Sequence, residues 1–275
     1  MQTDSTVREF YSKSIHTEWR RLVKNPFHRL EFETTLHSLK KHLPANGLVI
    51  DAGGGPGRYT IELAKLGYDV VLYDLTPENL AFARQRIARA GMKRRVRDTV
   101  EGSIVDLSRY PSGCFDAVLC LGGALSHVDG GDRRLRAVGE LARIAKPGAP
   151  LFISVMGLLA VLSESPRYWP RMIAATDVFR EVWQTGDDRV WCGSAFAHFF
   201  LPEEFQDLLR ASGVEIVECV GLEGLGSHSI AEINRLARDD SPAWENWLDA
   251  HHALCTHPGV FATSQHMLIV GRAPA

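Results

Sequence analysis

Three groups of residues in this 275-residue chain have the types and spacing to do chemistry. The first is the run Asp51-Ala52-Gly53-Gly54-Gly55-Pro56-Gly57-Arg58, set between an apolar stretch, LVIDAG, and a helical period. Glycines there let the backbone turn sharply and let a ligand approach the main chain. Exposed N–H groups at the start of a helix favour a negatively charged group. The second is Asp74, the last residue of the next apolar stretch, DVVLYD. A carboxylate in that place can bind both hydroxyls of a ribose; its plainer role, and that of Asp51, is to cap a loop. The third is His127, in Leu121-Gly122-Gly123-Ala124-Leu125-Ser126-His127. An imidazole titrates near neutrality, so it can take a proton from a hydroxyl, thiol or ammonium, orient an acceptor, or simply cap the next turn.

The glycine spacing narrows the nucleotide. A dinucleotide loop needs glycines at offsets zero, two and five. From Gly53 or Gly55 the third position falls on Arg58 or Thr60, and the Gly-Lys-Ser/Thr of a phosphate-binding loop is absent. Other clusters are weaker. His251, His252 and His257 lie near Cys255, but no carboxylate or second cysteine pair joins them at a metal-binding spacing, so no metal is expected. Arg84, Arg86, Arg89, Lys93, Arg94, Arg95 and Arg97 form a basic run that suits RNA phosphates or, more simply, a solvated helix face. Trp183, Trp191, Phe196, Phe199 and Phe200 suit either a substrate pocket or a local core.

The elements that must position these residues follow from periodicity. Residues 1–45 carry apolar positions spaced by three or four and predict a helical prefix. From Leu48 to about Ser154 the period alternates between strand and helix, which predicts a parallel sheet covered on both faces. Predicted helices run from Pro56 to Leu66, from an N-cap at Thr76 to Arg89, from Asp132 to Ala145, and from Leu201 to Ser212. Residues 157–200 break the rhythm and predict an inserted cap, a mobile lid over the acceptor together with the prefix. Residues 227–256 predict helix, and VEIVECVG and SQHMLIVGR predict strands. No Ser/Gly linker divides residues 1–275, so a single domain is expected.

Composition sets the bounds. Hydrophobic residues at 45% and charged residues at 23% are ordinary for a globular chain and exclude disorder. The net charge of -2 lacks the basic excess of a dedicated nucleic-acid binder. Five widely spaced cysteines, with no CxxC, suit a reducing compartment. The polar start, MQTDSTVREFYSKS, has no apolar signal-peptide core. The uncharged stretch Pro147 to Ser163 is 17 residues long and interrupted by Pro150 and Gly157, which predicts a buried strand running into a helix; a membrane span needs about 20 apolar residues. A cytoplasmic protein is expected.

With an acid leading its glycines, the DxGxGxG run resembles that of the class I S-adenosylmethionine-dependent methyltransferases. YDLTPENLAFARQRI is similar to the ribose-acid strand and helix of that superfamily, EGSIVDL to its adenine loop, and FDAVLCLGGALSHV to its fourth strand. ELARIAKPGAPLFISV and FLPEEFQDLLRASGVEIVE resemble its fifth and penultimate units, so the likeness covers about residues 48–156 and 200–221. It implies a Rossmann-like α/β fold, a seven-stranded sheet in the order 3-2-1-4-5-7-6 with strand seven antiparallel, and S-adenosyl-L-methionine as cofactor. It places Gly53 and Gly55 against the methionine part, with Asp51 at the loop's base, Asp74 on the ribose, and Leu75 and Ile104 about the adenine. Leu121 borders the cofactor, and either Ser103 or Asp106 meets the adenine amino group. The loop carrying His127 falls beside the reactive methyl, which makes His127 the candidate base. A small-molecule O-, N- or S-methyltransferase is expected. The alternatives are a tRNA wobble-uridine modifying enzyme, whose glycine loop and carboxyl-terminal layout look similar, and a non-catalytic cofactor-binding regulator.

Overall fold

The computed structural model describes residues 2–189, 195–239 and 242–275; Trp191 and Cys192 lie outside the described residues. Strands β1 (Leu48–Ala52), β2 (Asp69–Asp74), β3 (Val96–Glu101), β4 (Ala117–Cys120), β5 (Pro150–Met156), β6 (Glu215–Gly221) and β7 (His266–Arg272) form one sheet in the order β3-β2-β1-β4-β5-β7-β6. Strands β1 to β5 are parallel, and β7 is antiparallel to both its neighbours, as expected. Strands of a sheet covered on both faces read as unbroken apolar runs. Accordingly Val49, Ile50, Val118, Leu119, Phe152 and Ile153 are fully buried in the middle of the sheet. The edge strand β3 is the charged VRDTVE, with Arg97, Asp98 and Glu101 exposed, which discourages pairing with another chain.

Two helices precede the sheet, α1 (Gln2–Arg21) and α2 (Pro26–His42). Their separation comes from Asn25, whose side-chain oxygen accepts from the His28 N–H at 3.1 Å, and from Pro26 at the first helical position. A cap followed by proline starts a new helix and does not continue an old one. Between the strands lie α3 (Arg58–Lys65), α4 (Pro77–Arg89) and α5 (Gly131–Ile144). Helix α3 starts two residues later than predicted, because the loop turns on a Gly57 N–H to Gly54 carbonyl bond of 3.0 Å. Thr76 stands at the N-cap of α4, but its hydroxyl makes no capping bond.

After β5 come α6 (Leu158–Tyr168), α7 (Pro170–Ala174), α8 (Thr176–Thr185) and a two-residue ladder pairing Asp187–Asp188 with Ala197–His198. The uncharged stretch is therefore strand running into helix, and among the described residues no helix is long and apolar enough to cross a membrane. Phe199 packs in the insertion's own core with Leu158, Met172 and Val182. Phe200 joins the main core, and Trp183 is exposed. Helix α9 (Pro202–Ala211) follows, then α10 (Ile230–Leu236), α11 (Pro242–Leu254) and α12 (Pro258–Thr263); the helical stretch predicted over 227–256 is thus divided, with Pro242 opening its second part.

Helix α1 is held across the carboxyl edge of the sheet by aromatic contacts. Trp19 sits edge-on to Phe82 of α4, with ring centroids 5.8 Å apart. The Arg58 guanidinium lies 4.1 Å from the Trp19 ring centroid. A cation over an aromatic face contributes about 0.5–1 kcal/mol where water has access.

Candidate active site

A cavity opens at the carboxyl ends of β1 to β4, where open α/β sheets bind ligands. Asp51, Gly53, Gly55, Asp74, Leu75, Ser103, Ile104, Leu121 and His127 all line it. Asp106 does not; it is exposed, and its side chain accepts from the Ser108 N–H at 3.1 Å. Of the two residues offered for the adenine amino group, only Ser103 therefore faces the cavity. Among the described residues no part of the 157–200 insertion lines it; the cover comes from α1, through Asp4, Val7, Tyr11, Glu18 and Arg21, and from Leu22 just past its end.

The glycine loop owes its shape to three positive φ angles, at Gly53, Gly55 and Gly57. Gly53 has φ +76°, and a Cβ there would come within 2.5 Å of the Ala124 Cβ. Gly55 has φ +52°, and a Cβ there would meet nothing nearer than the Asn79 Nδ2 at 3.8 Å, so this glycine keeps the cavity wall open. Asp74 ties the loop to the next strand. One of its oxygens accepts from the Gly55 N–H at 2.8 Å; the other accepts from the Thr76 N–H at 2.9 Å and the Asn79 amide at 3.3 Å. Burial raises its carboxyl above the usual range, and these bonds oppose that shift.

Asp51 is fully buried, and burial pushes its carboxyl up to about 6 against the Thr60 hydroxyl, which donates to Oδ2 at 2.6 Å. Its Oδ1 has no hydrogen-bond partner, and neither has the Asn79 Oδ1 on the same cavity. A buried oxygen without a donor costs on the order of 1–3 kcal/mol. A ligand carrying positive charge and hydroxyl donors would meet that need, and S-adenosylmethionine carries both. The residues present fit it.

His127 is joined to two distant segments. Its Nδ1 is 2.8 Å from the Phe196 carbonyl, and its Nε2 is 2.7 Å from the Tyr11 hydroxyl. A carbonyl only accepts, so Nδ1 carries the proton, and the Nε2 lone pair accepts from Tyr11. Burial holds the imidazole below its ordinary value of 6.5, against the pull of the Phe196 carbonyl.

Sequence reasoning did not find Arg21. Its guanidinium pairs with both carboxylate oxygens of Glu31, and its Nε with Glu18 at 3.3 Å. One Nη borders the loop after β4, where a Cβ on Gly122 would lie 3.2 Å from it. No short-range pattern marks an arginine that depends on such remote neighbours. Glu31 also faces His266, whose Nδ1 is 2.6 Å from Glu223, and these three are the metal-ligating residues that converge among the described residues. The Arg21 charge already stands at Glu31. The histidines near Cys255 take different partners: His251 bonds the Thr34 hydroxyl, His252, edge-on to His251, stacks on His37, and His257 caps α12.

Asp74→Ala should weaken S-adenosylmethionine binding by about 1.5–3 kcal/mol, the range for hydrogen bonds to a charged group. That is a loss of roughly tenfold to a few hundredfold in affinity. Titration calorimetry showing unchanged affinity would remove Asp74 from the site.

Residues 50–153 match the family model described as a methyltransferase domain. The chain is 28% identical over 179 residues, 65% of its length and 67% of the relative's, to a ubiquinone biosynthesis O-methyltransferase of Xanthomonas axonopodis pv. citri. It is 28% identical over 197 residues, 70% of its length and 61% of the relative's, to a glycine/sarcosine N-methyltransferase of Parasynechococcus marenigrum. Among solved structures, the 1,6-didemethyltoxoflavin-N1-methyltransferase of Burkholderia thailandensis superposes with a TM-score of 0.56 at 18% identity, covering 98% of this chain and 88% of that one. Residues 50–153 thus match a methyltransferase domain, and the acid-led glycine loop, the buried acid ending β2 and the strand order support the class I S-adenosylmethionine-dependent methyltransferase superfamily.

Proposed function

We propose that the protein methylates a hydroxyl oxygen of a small-molecule acceptor. The observation that carries this is the Tyr11–His127 pair, which shares one enclosure with the glycine loop and the unpartnered Asp51 oxygen. When bound, S-adenosylmethionine supplies a methyl group on a sulfonium that is already an activated leaving group. The protein's part is then to align the acceptor and exclude water. Gly53 and Gly55 would admit the cofactor to the backbone, Asp74 would take the ribose hydroxyls, and Leu75, Ser103 and Ile104 would surround the adenine. Asp51 would face positive charge, Arg21 the methionine carboxylate, and Leu121 the wall beside them.

A base is needed only if the acceptor arrives protonated, and a hydroxyl does. Its proton passes to the Tyr11 oxygen as the tyrosine's own proton moves to His127 Nε2, leaving an imidazolium whose Nδ1 still donates to Phe196. The O-methyltransferase relative favours oxygen as the accepting atom. The basic run gives RNA little support: Arg95 and Arg97 pair with Asp69, Arg84 bonds Thr99, and Arg86 lies over Trp19 and Phe82. Cys114, Cys120, Cys219 and Cys255 are free thiols, which supports placement in the cytoplasm.

The test is incubation with S-adenosylmethionine labelled on its methyl group and separate phenol, amine and thiol acceptors. Label should appear on a phenolic oxygen. Because burial lowers the His127 pKa below the ordinary 6.5, the base is neutral at pH 7, so turnover should be flat there and fall only at a more acidic pH than a free imidazole would give. Incorporation into tRNA alone, with salt-dependent retention, would overturn the reading.

A further inference from the structure

Three anchors bring the chain around Phe196 onto the loop that holds His127. The ladder pairs Asp188 with Ala197 and Asp187 with His198. The buried His198 ring lies between carboxylates, with Asp187 at 2.7 Å from Nδ1 and Glu204 at 2.7 Å from Nε2. The third anchor is Arg189. Its guanidinium donates to both oxygens of Asp129, each at 3.0 Å, and Asp129 is two residues past His127. It also reaches Asp187 at 3.2 Å, and its charge lies 5.0 Å from the Phe196 ring centroid. Asp129 in turn accepts from the Thr3 hydroxyl of α1 at 3.0 Å. Arg189 therefore touches both ends of the interaction that decides the His127 tautomer: the loop bearing the ring and the residue whose carbonyl receives the Nδ1 proton.

We propose that Arg189, acting through Asp129 and Phe196, is a positioning residue that keeps His127 in its Nδ1–H tautomer, so that Nε2 is the basic atom facing Tyr11 and the cavity. The proposal rests on the reading of His127 as the base. An ion pair whose arginine is 46% exposed adds little to stability. Its bidentate geometry nonetheless fixes direction well. Removing it leaves the ladder and the His198 bridge to hold the fold, while the Phe196 carbonyl loses its registration on the imidazole. The ring is then free to exchange its proton to Nε2, where it cannot accept one from the acceptor or from Tyr11.

The experiment is nitrogen NMR on protein labelled with 15N-histidine, using the His127→Ala spectrum to assign the His127 signals. Wild type should show a protonated Nδ1 and an unprotonated Nε2. Arg189→Ala should shift the ring toward the Nε2–H form and lower kcat by about tenfold or more, with cofactor affinity and KM little changed. Arg189→Lys, which keeps one charge-assisted bond, should recover part of kcat. Asp129→Asn loses the ion pair with less risk to folding and should move the tautomer in the same direction. Wild-type tautomer and kcat in both Arg189→Ala and Asp129→Asn would overturn the proposal. If His127→Ala itself kept full turnover, the base would fail, yet the tautomer signal would still report whether Arg189 positions the ring.

Discussion

Replacing His127 with alanine should cut turnover by about a hundredfold or more and leave S-adenosylmethionine affinity intact. The ring stands on the side of the cavity proposed for the acceptor, with Nε2 bonded to Tyr11 and Nδ1 to the Phe196 carbonyl, and among the described residues none of its bonds reaches the glycine loop. Alanine removes the lone pair that receives the proton, and it leaves the Phe196 carbonyl and the Tyr11 hydroxyl without their shared partner. His127→Gln should not restore turnover, since an amide can orient an acceptor but cannot take its proton. The measurement is kcat with the true acceptor beside a calorimetric titration with S-adenosylhomocysteine. Near-normal kcat in the alanine variant would leave alignment by the cavity as the whole mechanism.

Gly55→Val should damage the other half of the site still more. A β-branched residue at φ +52° is strained by about 1–3 kcal/mol before any ligand arrives. Its methyl groups would then project into open cavity, since the nearest atom to a Cβ there is 3.8 Å away. We expect cofactor affinity to fall by more than about a hundredfold, exceeding the loss in Asp74→Ala. Gly55→Ala, with a smaller side chain and the same backbone angle, should fall between Gly55→Val and wild type. A melting curve separates loss of fold from loss of binding: a variant that melts near the wild-type temperature yet binds normally would take Gly55 out of the cofactor wall.

The two halves differ in how far they could be read from the chain. The glycine loop, Asp74 and Leu75 lie within one strand–loop–helix–strand unit, so their spatial relation follows from chain continuity and from parallel pairing of β1 with β2. Asp51 ends on the same edge as Asp74 because β1 and β2 run in the same direction. The choice between Ser103 and Asp106 was not legible, because the irregular loop through Ile104 and Val105 sends one inward and the other out to bond the Ser108 N–H. The break between α1 and α2 was marked by Asn25-Pro26, a local signal that the apolar spacing across residues 1–45 obscures. Phe199 and Phe200 serve cores, since a buried ring after an antiparallel ladder packs wherever space lies behind it.

Local patterning thus determined the alternation of strands and helices, the resemblance supplied the strand order, and chain continuity brought together the residues proposed for the cofactor. The backbone hydrogen bonds and apolar runs behind these repeat over a few residues, and their direction is set by the chain itself. Tertiary structure alone decided which residues meet in the half proposed for the acceptor. Tyr11, His127 and Phe196 come from a prefix helix, the loop after β4 and the insertion after β5, separated by 116 and 69 residues from the histidine they share. Arg21 likewise gains its place from Glu31 and the loop at Gly122. No periodicity encodes such meetings; they exist because α1 packs across the carboxyl edge of the sheet and the insertion folds back onto the same edge. The imidazole's tautomer, and with it the atom able to accept a proton, is set only when all three segments are in place.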